Sequence, residues 1–149
     1  MRFELTTRAT PEQVLRALTD FTEHRLEIWS RTLDPATYEL REQGATWAVA
    51  RESTPRSPFW VVARYDWSDP THVRWTEVEN SYGGHGTGSI RITPVPDGGS
   101  HLDVEWSSRD PARLRYRVML FLLHHGPMHR MIARMWTAAL DRYAATETG

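Results

Sequence analysis

The final segment of the chain constrains the fold most strongly, because it predicts one long helix with a single apolar face. Gly126 can cap this helix, and Pro127 suits its first position, where a backbone N–H is not needed. Apolar side chains recur at helical spacing up to about Ala145. They are Met128, Met131, Ile132, Met135, Trp136, Ala139, Leu140 and Tyr143. A helix this long needs a broad apolar partner, which the middle of the chain must supply.

The middle of the chain changes to the period of two that is typical of β-strands. Turn residues separate the strands and each connection is short, so we expect an antiparallel meander. Six strands are predicted, at Thr37–Glu42, Ala45–Glu52, Phe59–Trp67, His72–Glu79, Gly86–Thr93 and His101–Ser108. The same alternation over residues 2–7 adds a seventh strand at the start of the chain.

Two short helices are predicted between the first strand and the meander. Thr10 can cap the first helix, Pro11 suits its first position, and Gln13 is placed to complete a capping box. The second helix would turn Leu26 and Trp29 inward. We therefore predict an α+β fold, in which the long C-terminal helix lies across a curved seven-stranded antiparallel sheet.

The segment from Pro111 to His125 is apolar nearly all round, which favours a buried connecting helix. The alternative is an entrance flap or a homodimer contact, in which Met119, Phe121 and Leu123 remain exposed.

The composition excludes several classes of function. The chain has 149 residues, which suits one domain spanning 1–149. Its net charge of −1 argues against a nucleic-acid partner. All its basic residues are arginine, so no lysine can form a Schiff base, and without cysteine there is no thiol nucleophile. No apolar run approaches the ~20 residues of a membrane span, and no signal core opens the chain. We expect a cytoplasmic protein without membrane insertion.

Bulky aromatic side chains on the presumed inner surface predict a cavity between the sheet and the last helix. Large flat rings and adaptable methionines are typical of walls that bind hydrophobic or aromatic ligands. The predicted lining is Trp47, Trp75, Trp106 and Trp136, with Met131 and Met135 on the helix. The alternative is a solid core without a ligand.

Polar side chains on the presumed inner face are the candidates for chemistry. Glu77 shares the alternation of Trp75, and Arg51 shares that of Trp47. A carboxylate in an apolar pocket can act as general acid or base, and an arginine can hold an enolate. The alternatives are a mutual ion pair or solvated positions at strand ends. The hydroxyl of Tyr65 could donate to a ligand carbonyl, although a strand tyrosine is more often a packed ring.

Histidines give weaker signals. The spacing of four between His125 and His129 matches a zinc helix, but the intervening Gly-Pro pair breaks that helix, so we predict no metal site and no cofactor. His124 and its neighbour fit a pocket mouth better, with solvated loop imidazoles as the alternative. His85 follows a glycine-rich turn that lacks the lysine of a phosphate loop, and it could gate the cavity or move protons.

The order of elements resembles the START-like superfamily, also called SRPBCC or helix-grip. Local phrases support the resemblance, namely Ile28-Trp29 before Leu33-Asp34-Pro35, Gly44-Ala45-Thr46-Trp47, Tyr65-Asp66-Trp67-Ser68-Asp69-Pro70 and Gly98-Gly99-Ser100. They look like the polyketide cyclase/dehydrase and lipid-transport branch, especially its actinobacterial members. The resemblance covers essentially the whole chain and implies a cavity for an apolar or aromatic small molecule. It does not choose among carriers, aromatase/cyclases and enzyme subunits.

Three hypotheses of function follow. The first is binding, and possible transport, of a hydrophobic or aromatic small molecule in a cavity beneath the last helix. The second is a cofactor-free polyketide cyclase or aromatase, in which Glu77 or His85 moves protons while Arg51 or Tyr65 steadies an enolate. The third is a non-catalytic module that forms a homodimer through residues 113–123.

Overall fold

The computed structural model describes residues 1–148 and confirms the predicted α+β helix-grip fold. Its elements are β1 (Arg2–Thr7), α1 (Pro11–Thr19), α2 (His24–Ile28), β2 (Glu39–Gln43), β3 (Trp47–Glu52), β4 (Val61–Asp66), β5 (His72–Asn80), β6 (His85–Pro94), β7 (Ser100–Arg109), α3 (Leu114–His125) and α4 (Met128–Thr148). No helix in the described range is long and apolar enough to span a membrane.

The sheet has seven antiparallel strands in the order β1-β7-β6-β5-β4-β3-β2. Each of the predicted strands is present, with its ends displaced by a few residues at most. Register shifts occur in two strand pairs, because Arg41 is an extra residue of β2 opposite β3 and Val78 is an extra residue of β5 opposite β4. Such bulges bend a sheet locally, and both lie in the half of the sheet remote from β1.

The main core lies where α4 crosses β1 and β7. Phe3 and Leu5 of β1 pack with Leu102 of β7 and with Leu140 of α4, all of them buried. Asp141 ties the end of β1 to the helix, because it accepts hydrogen bonds from the Thr7 hydroxyl and the Arg8 amide at 2.6 and 2.9 Å.

The predicted apolar face of α4 is only partly buried. Ile132, Trp136 and the residues near Leu140 pack against the core, but Met128 and Met131 are 37% and 48% exposed. The apolar face of the first turn of the helix therefore remains largely in solvent.

A buried ion pair fastens the two short helices to the sheet. Arg25 of α2 donates from Nε to Glu52 of β3 at 2.8 Å, and both side chains are under a tenth exposed. Arg25 also donates to the Leu18 carbonyl at 2.9 Å, and its guanidinium lies 4.1 Å from the centre of the Phe21 ring. Burial alone would lower the pKa of Arg25, but the Glu52 carboxylate, together with Tyr65 and Tyr38, outweighs burial and raises that pKa. The predicted capping box of α1 is also present.

The face of β3 that was predicted to point inward points outward, because the buried residues are the alternate set. Ala48, Ala50 and Glu52 are buried and face the helices, whereas Trp47 and Arg51 point to the outer face. The small alanines leave room for Phe21, which packs against them. Alternation defines two faces of a strand, but only the neighbouring elements decide which face is buried.

The predicted helix at 114–125 exists, but the expectation that it is buried is wrong. Within α3 only Leu120 is buried, whereas Phe121 and Leu122 are 61% and 62% exposed. Met119 and Phe121 are exposed, as the alternative of an entrance flap or a homodimer contact expects, whereas Leu123 is half-buried.

We expect Arg25→Met to destabilise the protein by about 3 kcal/mol, because it leaves the Glu52 carboxylate buried without a counter-ion. The measurement is urea unfolding followed by circular dichroism. The control is Arg41→Met, which removes exposed ion pairs to Glu39 and Glu79 and should cost less than about 1 kcal/mol. Equal losses in the two variants would contradict a structural role for the buried pair.

Candidate ligand-binding site

α3 crosses one end of the inner face and is anchored at both of its own ends. Near its start, the Tyr116 ring lies 5.3 Å from Phe59, which precedes β4. At its end, Nδ1 of His124 lies 2.8 Å from the amino group of Met1, which donates to the Trp106 carbonyl at 2.6 Å. Twelve helical residues span about 18 Å, close to the ~19 Å between β1 and β4. The helix therefore reaches from the start of β1 to the segment before β4, across five of the seven strands.

The floor beneath this bridge is a row of side chains in register across four strands. Trp106 of β7 lies opposite Gly88 of β6, which lies opposite Trp75 of β5, which in turn lies opposite Tyr65 of β4. The three aromatic residues are only half-buried. Gly88 is required here, because a Cβ at this position would lie 2.0 Å from the Trp75 indole. The floor is thus wide and aromatic.

Glu77 lies in the next row, towards α3, and is the carboxylate that faces the floor. Its Oε1 accepts hydrogen bonds from the Tyr82 hydroxyl at 2.7 Å and from Asn80 at 3.1 Å. A Cβ at Gly86 would lie 2.0 Å from its Oε2. Burial raises the pKa of Glu77, and the two neutral donors only partly offset that effect. A carboxyl group of this kind can hold or release a proton under mild conditions.

The aromatic contacts connect Glu77 to α3. The buried Tyr82, whose hydroxyl reaches Glu77, packs edge-on against Phe59 at 5.7 Å, and Phe59 packs against Tyr116 of α3. Burial, and then the hydrogen bond to Glu77, raise the pKa of Tyr82. A movement of α3 would therefore reach the carboxylate through only two rings.

Tyr65 contributes its ring to the floor, but its hydroxyl is already engaged. The hydroxyl donates to the buried Glu52 carboxylate, and burial followed by the Glu52 charge raises the pKa of Tyr65 well above its usual range. The ring packs between Phe21 and Trp75, with centroid distances of 5.1 and 5.9 Å. The structure thus supports the packed ring rather than a free donor.

Trp106 and Trp136 pack against other aromatic rings and do not line an open cavity between α4 and β1. Both rings meet Phe3 edge-on, at 5.9 and 5.6 Å, and Trp136 also lies 5.4 Å from Trp29. Aromatic side chains therefore fill the space between α4 and β1. Trp106 remains half-buried and still borders the open floor.

Two hollows border α4, one towards α2 and the other towards the edge strand β1. One of about 190 Å³ separates α2 from α4 and is lined by Trp29 and Met135. The other, a shallow depression of about 420 Å³, lies between β1 and α4. Met135 thus faces a groove between helices, and Met131 lies exposed beside α3.

Three of the predicted site residues lie away from the floor. Trp47 is on the outer face, where the Arg64 guanidinium covers its ring at 5.1 Å. Arg51 is on the same outer face, donates to the Thr37 carbonyl at 2.9 Å and lies 3.9 Å from Glu39, so the alternative of a mutual ion pair with Glu77 is wrong. His85 is exposed at the start of β6, and its neighbour Gly86, not His85, faces Glu77.

His124 combines burial with an unused polar atom. Its Nε2 is buried and has no hydrogen-bond partner among residues 1–148. Burial, followed by the charge of the Met1 amino group, lowers the pKa of His124 to about 4, so the ring is neutral. The sequence offered only its place beside the end of a helix as a signal. His129 lies instead against the Gly126 carbonyl, and His125 against the Phe121 ring.

Comparison with known proteins adds a family and a fold. A family model described as polyketide cyclase / dehydrase and lipid transport matches residues 2–146. Among curated proteins, none matches this chain. At the identities given below, the likeness to solved structures shows a START-like fold and no more.

Three solved structures illustrate the fold. A protein from Thermus thermophilus is 14% identical, with a TM-score of 0.77 over 100% of this chain and 99% of its own. The ZhuI aromatase/cyclase from Streptomyces sp. R1128 is 16% identical, with a TM-score of 0.73 over 100% and 94%. A START superfamily protein from Mycobacterium smegmatis is 9% identical, with a TM-score of 0.66 over 98% and 97%.

We expect Glu77→Gln to stabilise the protein near neutral pH, and this gain to vanish in acid. The folded state raises the pKa of Glu77, so its contribution to stability is full below the unfolded value of about 4.5 and is lost as the pH rises through the folded value. The measurement is chemical unfolding across this pH range. The control is Glu79→Gln, at an exposed position of the same strand, which should not gain stability near neutral pH. A stability gain of Glu77→Gln that is the same at every pH would contradict a raised pKa of Glu77.

Proposed function

This chain belongs to the polyketide cyclase / dehydrase and lipid transport family, and on that basis we propose that it binds a hydrophobic or aromatic small molecule beneath α3. The observation that carries the proposal is the half-buried floor of Trp75, Trp106 and Tyr65, with the carboxyl group of Glu77, which lacks a cationic partner among residues 1–148, at its edge. Apolar walls with a few convergent polar groups are typical of small-molecule sites.

Desolvation of apolar surface supplies the affinity in this proposal. Burying ~300 Å² of ligand surface at ~25 cal/mol per Å² contributes about 7 kcal/mol before the cost of association. Part of that is lost on binding, which leaves micromolar affinity as the expectation.

The roles of individual residues follow from their positions. Trp75 and Trp106 stack on the ligand, the Tyr65 ring extends the floor, and the carboxyl group of Glu77 sets the orientation. Trp136 supports the floor through Phe3, and Met131 borders the entrance beside α3. Trp47, Arg51, Met135 and His85 have no part in this site.

A second candidate function is acid–base catalysis of the cyclase type on the same floor. The specific observation in its favour is Glu77, whose raised pKa and contact with Tyr82 suit a group that removes a proton from carbon between two carbonyls. The resulting enolate carbon would attack a second carbonyl of the same chain, which forms the ring bond. The protonated carboxyl would then return the proton to the new alkoxide.

We expect Trp75→Ala to weaken binding of a neutral aromatic probe, phenylnaphthylamine, by about tenfold or more, because the floor loses its central ring. Probe fluorescence measures the affinity. The matched control is Trp47→Ala, which removes another half-buried tryptophan but from the outer face, and it should bind as the parent does. An equal loss of affinity in both variants would contradict the proposed site.

For the second function, we expect Glu77→Gln to abolish turnover of a poly-β-keto thioester while retaining its binding, because the amide keeps the shape of the side chain but cannot accept the proton. Product analysis by mass spectrometry follows turnover, and Glu79→Gln is the control. A parent protein that binds the thioester without turnover would leave binding alone as the function.

A further inference from the structure

α3 carries an apolar stripe that points away from the protein. Leu114, Val118, Phe121 and Leu122 recur at the spacing of one helical face and are 73%, 52%, 61% and 62% exposed. The opposite face, with Leu120 buried and Tyr116 against Phe59, is the one that packs on the protein. Large apolar side chains exposed together in this way mark an interaction surface.

Cations flank the stripe on both sides. Arg115 and Arg117 are exposed and, at 100° per residue, fall on either side of the line through Leu114 and Val118. Residues 111–140 contain five arginines and no aspartate or glutamate, whereas the rest of the chain has thirteen arginines and nineteen acidic residues. α3 and the first half of α4 are therefore basic as well as apolar, although the chain as a whole is slightly acidic.

We propose that α3 is a peripheral docking helix that lies flat on an anionic lipid surface. Its apolar stripe would enter the boundary between headgroups and acyl chains, while Arg115 and Arg117 reach sideways to the lipid phosphates. Its length of about 18 Å suits a helix that lies in the plane of the interface. Docking goes beyond the proposed function, because it places the mouth of the pocket against the membrane.

The charge pattern argues against a second copy of this chain as the occupant of the stripe. A two-fold contact through α3 would place each arginine-rich helix against its own copy, so that like charges meet around the apolar centre. Acidic side chains that could compensate them are missing from residues 111–140. An anionic surface satisfies the cations and the apolar stripe together.

The test is sedimentation with vesicles of phosphatidylcholine, with and without one quarter phosphatidylglycerol, using the full chain. The parent should bind the anionic vesicles, bind the neutral ones at least about tenfold more weakly, and be released by high salt. F121S/L122S and R115Q/R117Q should each weaken anionic binding by about tenfold. V78S and R74Q/R91Q, which change exposed residues elsewhere, should bind as the parent does.

Three results would overturn the proposal. They are no binding to anionic vesicles, equal binding to both kinds of vesicle, and a dimer in sedimentation equilibrium that F121S/L122S dissociates. Circular dichroism verifies folding, which these exposed substitutions should not disturb. Phenylnaphthylamine binding by F121S/L122S should match the parent, so that a failure of docking is distinguishable from a failure of the proposed pocket.

Discussion

The inner face of the sheet is wider than one helix can cover, and the rest of the structure depends on that mismatch. Seven strands span about 29 Å, whereas a helix with its side chains is roughly 10 Å across. α4 packs on β1 and α1 contacts β6, whereas Phe21 and the Arg25–Glu52 pair cover β3, next to the opposite edge of the sheet. These elements leave part of the inner face uncovered. α3 lies over that part, and the outer side of α3 stays exposed.

Two carboxylates on this inner face have opposite environments. Glu52 is buried against the Arg25 guanidinium, which neutralises it, so it acts in stability. Among residues 1–148, Glu77 meets only the neutral donors of Tyr82 and Asn80, and burial leaves its pKa raised. A carboxylate without a counter-ion costs stability, and such a cost is typical of a site that serves binding or chemistry.

The strands and helices could be predicted because hydrophobic periodicity and turn chemistry are local properties, as in the capping box at Thr10. The orientation of β3 could not be predicted from its own residues. Trp47 looked like a core residue, yet Arg64 covers it on the outer face, while small Ala48 and Ala50 accommodate Phe21. Tertiary contacts of this kind decide which face of a strand is buried.

Tertiary contacts also limited how much of the candidate site could be predicted from the sequence. Glu77 and Trp75 could be placed on one face from their spacing, since β5 keeps its register there. The burial of α3 could not be inferred from its apolar composition, because that depends on how much of the sheet α4 leaves uncovered. The burial of His124 Nε2 could not be predicted either, because it depends on the contact between α3 and Met1, which are far apart in the sequence.

The central claim is that a ligand lies on the floor beneath α3, and fluorine NMR of protein labelled with fluorotryptophan tests it directly. Single Trp-to-Phe variants would assign the seven tryptophan signals. On saturation with phenylnaphthylamine, the signals of Trp75 and Trp106 should shift, while that of Trp47 on the outer face stays unchanged. A shift of the Trp47 signal, with those of Trp75 and Trp106 unchanged, would contradict the account.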